Sequence, residues 1–120
     1  MIKVFVVDST DDLVYYNRVL KFLKKESVEV ESSFDRSLTK LSAGGYNVIV
    51  ISRGTGKISM YDFIDSIKQL RNNKTALFIL VENNPTVLSR MTASLKGRQV
   101  FAFRPSKLDS FDNLIERMLP

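Results

Sequence analysis

The sequence predicts a single α/β domain, residues 1–120, built as (βα)5: a doubly wound, five-stranded parallel sheet with helices on both faces. Two observations predict it. Five short apolar runs (Ile2–Val7, Val28–Val30, Val48–Ile51, Ala76–Val81 and Val100–Phe103) alternate with stretches of helical periodicity. Four of the five are nearly continuous in Val, Ile, Leu and Phe, as strands covered on both sides must be. Alternation of such strands with helices implies parallel pairing and right-handed crossovers. A chain of 120 residues has room for one such core and no second.

Each element carries its own punctuation. After the first strand, Ser9 or Thr10 is placed to cap a helix whose first turn holds Asp11 and Asp12, where the helix dipole favours acids. Leu13, Tyr16, Leu20 and Leu23 form the stripe expected to face the sheet, with Arg18, Lys21 and Lys25 elsewhere. The Val28–Val30 run is short and alternates with Glu29 and Glu31, which predicts an edge strand. A second helix, about 33–41, is expected to end at Gly44-Gly45. A third, about 59–70, turns Phe63, Ile64, Ile67 and Leu70 inward. Asn84 caps a fourth with Pro85 at its first position, and Gly97 stops it. The last starts near Ser106 and presents Leu108, Phe111, Leu114, Ile115 and Met118.

Composition removes several chemistries. There is no Cys, so no disulfide and no thiolate nucleophile. There is no His, so the usual general base near neutral pH and the commonest metal ligand are both missing. No apolar run approaches the roughly 18 residues a membrane span needs, and the opening run is too short for a secretory signal. The expected location is the cytoplasm. The net charge of +5 is spread along the chain from Lys3 to Arg117 without an arginine-rich block, which favours a solvated surface over a nucleic-acid footprint.

In a sheet of this kind ligands gather at the carboxyl ends of the strands. Those ends read Asp8-Ser9, Ser52-Arg53-Gly54, Glu82-Asn83 and Arg104-Pro105. Here the chain resembles, over essentially its whole length, the receiver domain of bacterial response regulators. Lys3-Val4-Phe5-Val6-Val7-Asp8 is similar to the family's first strand and the first of its two acids, and Tyr46-Asn47-Val48-Ile49-Val50-Ile51-Ser52 to its third strand. Gly97 falls where the family has a glycine before the fifth strand, and Phe103-Arg104-Pro105 stands in place of hydrophobic-Lys-Pro. The resemblance implies a CheY-like sheet of order 2-1-3-4-5 and a role in two-component signal transduction. A cis bond before Pro105 is expected on the same ground alone.

Against the family pattern, the chemistry is incomplete. The acid pair that helps hold Mg²⁺ is Asp8-Ser9, the phosphoacceptor aspartate is Ser52, the hydroxyl residue after strand four is Val81, and the lysine is Arg104. A serine hydroxyl is a poor nucleophile without a base, and one carboxylate beside Arg53 and Arg104 is a weak nucleus for a dication. The resemblance therefore implies a degenerate pocket (Asp8, Ser9, Ser52, Arg53, Gly54, Val81, Arg104, Pro105) with no catalytic residue, no metal and no cofactor, in a pseudo-receiver that is not an enzyme. Arg104 is placed either to pair with Asp8 or to reach solvent. Ser9, Ser52, Arg53, Gly54 and Arg104 are alternatively placed to bind an anion. Gly54-Thr55-Gly56-Lys57 lacks the full spacing of a phosphate loop and reads as a flexible strand-to-helix connection.

Phe101 matches the aromatic whose rotation reports phosphorylation in many receivers. It reads either as edge-strand packing or as an apolar anchor on the face made by the fourth helix, fifth strand and fifth helix, with Arg90, Lys96, Arg98 and Lys107 as a basic rim. The expected partner is a protein, or a second copy in a homodimer, engaged without phosphorylation. Nucleic acid enters only through a possible effector domain beyond residue 120, and no membrane partner is expected. The alternative is a small flavodoxin-like enzyme or a nucleotide- or anion-binding domain; Asp8-Ser9-Thr10-Asp11-Asp12 opposes the nucleotide form, because it has no glycine and three acids that repel phosphate. Phosphorylation of Ser52 or another serine by a Ser/Thr kinase is left open by the sequence.

Overall fold

Strands β1 (Val4–Asp8), β2 (Val28–Glu31), β3 (Val48–Arg53), β4 (Leu77–Val81) and β5 (Gln99–Phe103) pair in parallel as one sheet of order β2-β1-β3-β4-β5. The structure is a computed structural model that describes residues 2–118, without the side chain of residue 72. Helices α1 (Val14–Leu20), α2 (Phe34–Ala43), α3 (Met60–Lys68), α4 (Pro85–Ser94) and α5 (Leu108–Met118) follow the strands in alternation. No helix among the described residues is long and apolar enough to cross a membrane.

Strand side chains alternate between two cores because successive Cβ atoms point to opposite faces. Phe5, Val7, Ile49, Ile51, Phe78 and Leu80 pack against Phe34 and Leu41 of α2, Phe63, Ile64 and Ile67 of α3, and Met91 of α4. Val4, Val6, Val48, Val50, Ile79 and Val81 pack against Tyr15 and Val19 of α1 and Phe111, Leu114 and Ile115 of α5. The three central strands are buried at every apolar position except Leu77 at the start of β4, which is partly buried, and this is why their sequences are continuous rather than alternating. The edge strands differ: β2 exposes its Glu side chains partly, and β5 is open along most of its length.

Caps fix three helices where the sequence places them. Ser33 accepts the Arg36 N–H, Ser59 the Asp62 N–H, and Asn84 the N–H groups of Thr86 and Val87 with Pro85 at the first position. Each such cap is worth about 1 kcal/mol. α2 extends past 41 to Ala43, and Gly44 caps it with extended backbone rather than in the left-handed region. Gly97, at φ 90°, does take the left-handed turn that leads into β5.

The first helix departs from expectation. It starts at Val14, after a turn in which Leu13 has φ 46°, so Asp11 and Asp12 lie outside its first turn. It also ends at Leu20, and Leu23 packs on the α1–α5 core from the following turn. Tyr15 and Val19, not Leu13 and Tyr16, are its buried residues. The reason is that its cap comes from the preceding strand. Asp8 reaches forward to the N–H groups of Tyr15 and Tyr16, which moves the helical start several residues downstream of the Ser-Thr-Asp-Asp cluster.

Candidate functional site at the carboxyl ends of the strands

β1 and β3 run in register from Val4–Val48 to Val7–Ile51, and then Asp8 pairs with Arg53, leaving Ser52 as a bulged residue. The Ser9 N–H donates to the Arg53 carbonyl at 2.8 Å and closes the bulge. A bulge bends its strand and re-aims side chains. Here it brings Ser52 over the end of β1, with Oγ 3.3 Å from the Val7 carbonyl and 3.5 Å from Asp8 Oδ1. The Ser52 hydroxyl is buried and makes only these long contacts.

Asp8 is 0% exposed, and its carboxylate is filled with donors. Oδ1 accepts the Thr10 N–H at 3.0 Å and the Thr10 hydroxyl at 2.6 Å. Oδ2 accepts the N–H groups of Tyr15 at 2.9 Å and Tyr16 at 3.3 Å. Thr10 Oγ1 in turn accepts the Val14 N–H at 3.0 Å. A carboxylate offers about four acceptor positions, and three short donors, the longer Tyr16 N–H and the distant Ser52 hydroxyl crowd them. The positive end of α1 adds to the same field. The one acid kept at this site is thus a structural cap for α1.

Receiver folds imply a bound Mg²⁺, and the residues present do not fit one. Asp8 turns its lone pairs to N–H and O–H donors, Ser9 and Ser52 supply neutral oxygens, and the side chain of Arg53 stands beside them. A dication would have to strip the α1 cap to gain a single carboxylate.

Arg104 does not pair with Asp8. Its side chain is exposed, and it joins none of the ion pairs among the described residues, so of its two expected placements the structure has the one that reaches solvent. The physical reason is that Asp8 is fully hydrogen-bonded beneath the turn, with no acceptor left facing the β5 end. No cis peptide bond occurs among the described residues, so the bond before Pro105 is trans.

The Gly54–Lys57 segment is not a free loop either. Thr55 forms a parallel bridge with Ser33, the Phe34 N–H donates to the Thr55 carbonyl at 2.7 Å, and the Thr55 N–H donates to the Ser32 carbonyl at 2.9 Å. Asp35 accepts the Lys57 N–H at 2.9 Å. Two glycines permit the approach: a Cβ at Gly54 would stand 2.5 Å from the Phe34 ring, and Gly56 has φ 123° with the Asp35 carboxylate where its Cβ would be. The β3–α3 loop is therefore sewn to the start of α2, and the expectation of flexibility is corrected.

Above Ser52 a cavity of about 290 Å³ opens between the strand ends, α1 and α5. Its lining includes Arg53, Val81 and Pro105 from the expected set, and adds Tyr15, Val14 and Leu108, which sequence reasoning did not single out. Gly54 and Arg104 are not part of it. Tyr15 is 6% exposed, its ring held edge-on against Phe111 at 5.6 Å. Burial raises its phenol pKa, the Asp8 charge raises it further, and the Arg53 charge pulls it back.

The face around α4 and β5 is built differently. Phe101 is 45% exposed, and it is the one exposed large hydrophobic residue among those described. On the other face of β5, an open, largely apolar groove of about 720 Å³ lies between α4 and the strand, lined by Leu88, Thr92, Ala93, Lys96, Val100 and Ala102. Phe101 pairs with Ile79 and so projects on the α5 side, opposite the groove. Two members of the expected basic rim spend their guanidinium groups on neighbours, although Arg98 still lines the groove. Arg90 stacks on the Tyr61 ring of α3 at 3.9 Å, and Arg98 donates to the carbonyls of Lys68 at 2.6 Å and Lys74 at 2.7 Å. Lys96 and Lys107 remain exposed. From Asn84 to Lys107 the chain carries no acid at all.

The sequence matches no protein-family model and no curated protein. Solved structures do match, over nearly the whole chain. The chemotaxis protein CheY4 of Vibrio cholerae is 17% identical, with 99% of each chain covered and a TM-score of 0.74. The BeF3-activated DrrB receiver domain is 18% identical at a TM-score of 0.72, covering 98% of this chain and 96% of that one. A response regulator from Hahella chejuensis is 16% identical at a TM-score of 0.70, covering 98% and 92%. The chain has the fold of CheY-like receiver domains, flavodoxin-like in topology.

Proposed function

We propose that this chain is a pseudo-receiver: a regulatory, non-enzymatic protein-interaction domain in signal transduction that acts without aspartyl phosphorylation. The single observation that carries the reading is the state of Asp8. In a phosphorylatable receiver the corresponding acid is available to a metal; here its lone pairs hold α1, while Ser52 occupies the acceptor position and Val81 the switch position. Docking or homodimerisation falls to the face of α4, β5 and α5. Support comes from the exposed ring of Phe101 on the α5 side of the edge strand and from the acid-free stretch that carries it, which suit an apolar partner group with acidic flanks. A cytoplasmic location and a separate effector domain belong to the same proposal.

Light scattering over a concentration series, with wild type beside Phe101→Ala, tests the docking face. A dimer that weakens on substitution supports it, and a dimer indifferent to the change contradicts it. Incubation with acetyl phosphate and Mg²⁺ tests the chemistry. The intact mass is expected to stay unchanged, and gain of a phosphoryl group would refute the reading.

A further inference from the structure

We infer that the cavity above Ser52 is a binding site for a small organic carboxylate with an apolar body. Val14, Val81, Pro105 and Leu108 give it apolar walls from α1, the strand ends and α5. Against those walls stand two polar groups without a partner. Arg53 makes no ion pair among the described residues, either with Asp8, which is filled by α1, or with Glu82, whose carboxylate accepts the Asn84 N–H at 3.1 Å. The Tyr15 hydroxyl has no hydrogen-bond partner among the described residues, although the side chain is more than nine-tenths buried and lines the cavity. The hydroxyl is not sealed from solvent, so it opens to the cavity, where a ligand acceptor can take the place of water.

The three features select the ligand class together. A guanidinium matches a carboxylate with two parallel hydrogen bonds. A phenol beside it donates to the same anion. Apolar walls with a few convergent polar groups are the usual make-up of small-molecule sites. A volume of about 290 Å³ is at the lower end of such sites, enough for one ring or a short branched chain and too small for a nucleotide. Tyr15 is pre-positioned by its ring contact with Phe111, and Arg53 stands at the exposed end of β3 with its side chain at the cavity rim. The site shares no residue with the α4–β5 groove, so it stands or falls apart from the docking reading.

Benzoate titrated into the isotopically labelled chain, followed by amide NMR, tests the inference, with benzamide as the neutral isostere and inorganic phosphate as the bare anion. Benzoate is expected to give saturable shifts at 52–54 and 81–83. Benzamide and the Arg53→Gln variant are each expected to bind about tenfold more weakly, the loss that follows from removing a charged hydrogen-bond pair. Tyr15→Phe keeps the ring in the core and is expected to weaken benzoate by a few-fold, roughly one neutral hydrogen bond. The inference is overturned if benzoate does not saturate, if benzamide or Arg53→Gln binds equally well, if phosphate alone saturates the site, or if the shifts map to 88–102.

Discussion

The two ends of the sheet treat their polar groups in opposite ways. Around β1, β3 and the start of α2, many donors and acceptors are paired inside the chain: buried Asp8 with Thr10, Tyr15 and Tyr16, and nearer the surface Thr55 with Ser32 and Phe34 and Asp35 with Lys57. Around β5, an edge strand shows an exposed phenylalanine, an apolar groove and unopposed cations. The first region is fixed by contacts that a switch would have to break. The second is unsatisfied, and an unsatisfied surface is one that a partner can improve. On the pseudo-receiver proposal, regulation belongs to what docks on the chain or fills it rather than to covalent change at residue 52.

Substitutions sharpen that contrast. The largest effect is expected at Asp8. Asp8→Ala orphans the Thr10, Tyr15 and Tyr16 N–H groups and should cost about 3 kcal/mol in urea unfolding. Equal or greater stability of the variant would mean that the carboxylate is a leftover of an acidic site. Next comes Gly54→Ala, whose added methyl meets the Phe34 ring and should cost about 2 kcal/mol by overpacking, read in the same assay. Arg98→Ala removes guanidinium bonds to the Lys68 and Lys74 carbonyls; about 1.5 kcal/mol is expected, with no change in any self-association. Phe101→Ala should leave monomer stability within about 0.5 kcal/mol, because its ring is half out of the protein, while altering association.

The pinned region also has an acid limit. Burial alone would raise the Glu31 carboxyl, but hydrogen bonds from Arg36, Ser33, Lys40 and Ser32 outweigh it and bring the pKa from 4.5 down to about 2. A folded-state pKa below the unfolded one contributes stability that is complete above pH 4.5 and is lost as pH falls towards 2. Melting temperatures of wild type and Glu31→Gln should therefore differ at pH 6 and converge across that window. A gap that persists at pH 2 would place the effect outside the titration of Glu31.

Much of the fold was legible in the chain because its signals are local. The continuous runs at β1, β3 and β4 and the caps at Ser33, Ser59 and Asn84-Pro85 need only their neighbours to be read. α1 misled for a tertiary reason: Thr10 does accept its first N–H, at Val14, but the next two go to Asp8 on the strand, and Ser9, Asp11 and Asp12 are turn. The Gly54–Lys57 loop looked free because what holds it, Phe34 and Asp35, lies a strand and a helix away. At the site, Asp8, Ser52 and Arg53 followed from strand order, and Val81 from the resemblance to receivers. Tyr15 did not, since its place in the cavity depends on where α1 begins. Arg90 and Arg98 were assigned to a face from their positions in sequence, but long side chains answer to whichever ring or carbonyl lies within reach.

All of this rests on where the lone pairs of one buried carboxylate go. Titration of the wild-type chain with MgCl2, followed at the amides of Thr10, Tyr15, Tyr16 and Arg53, asks that question directly. No saturable shift at millimolar Mg²⁺ is predicted, because those amides and the Thr10 hydroxyl already hold Asp8. A saturable shift of the Tyr15 and Tyr16 amides would show the cap giving way to a metal, and would contradict the account.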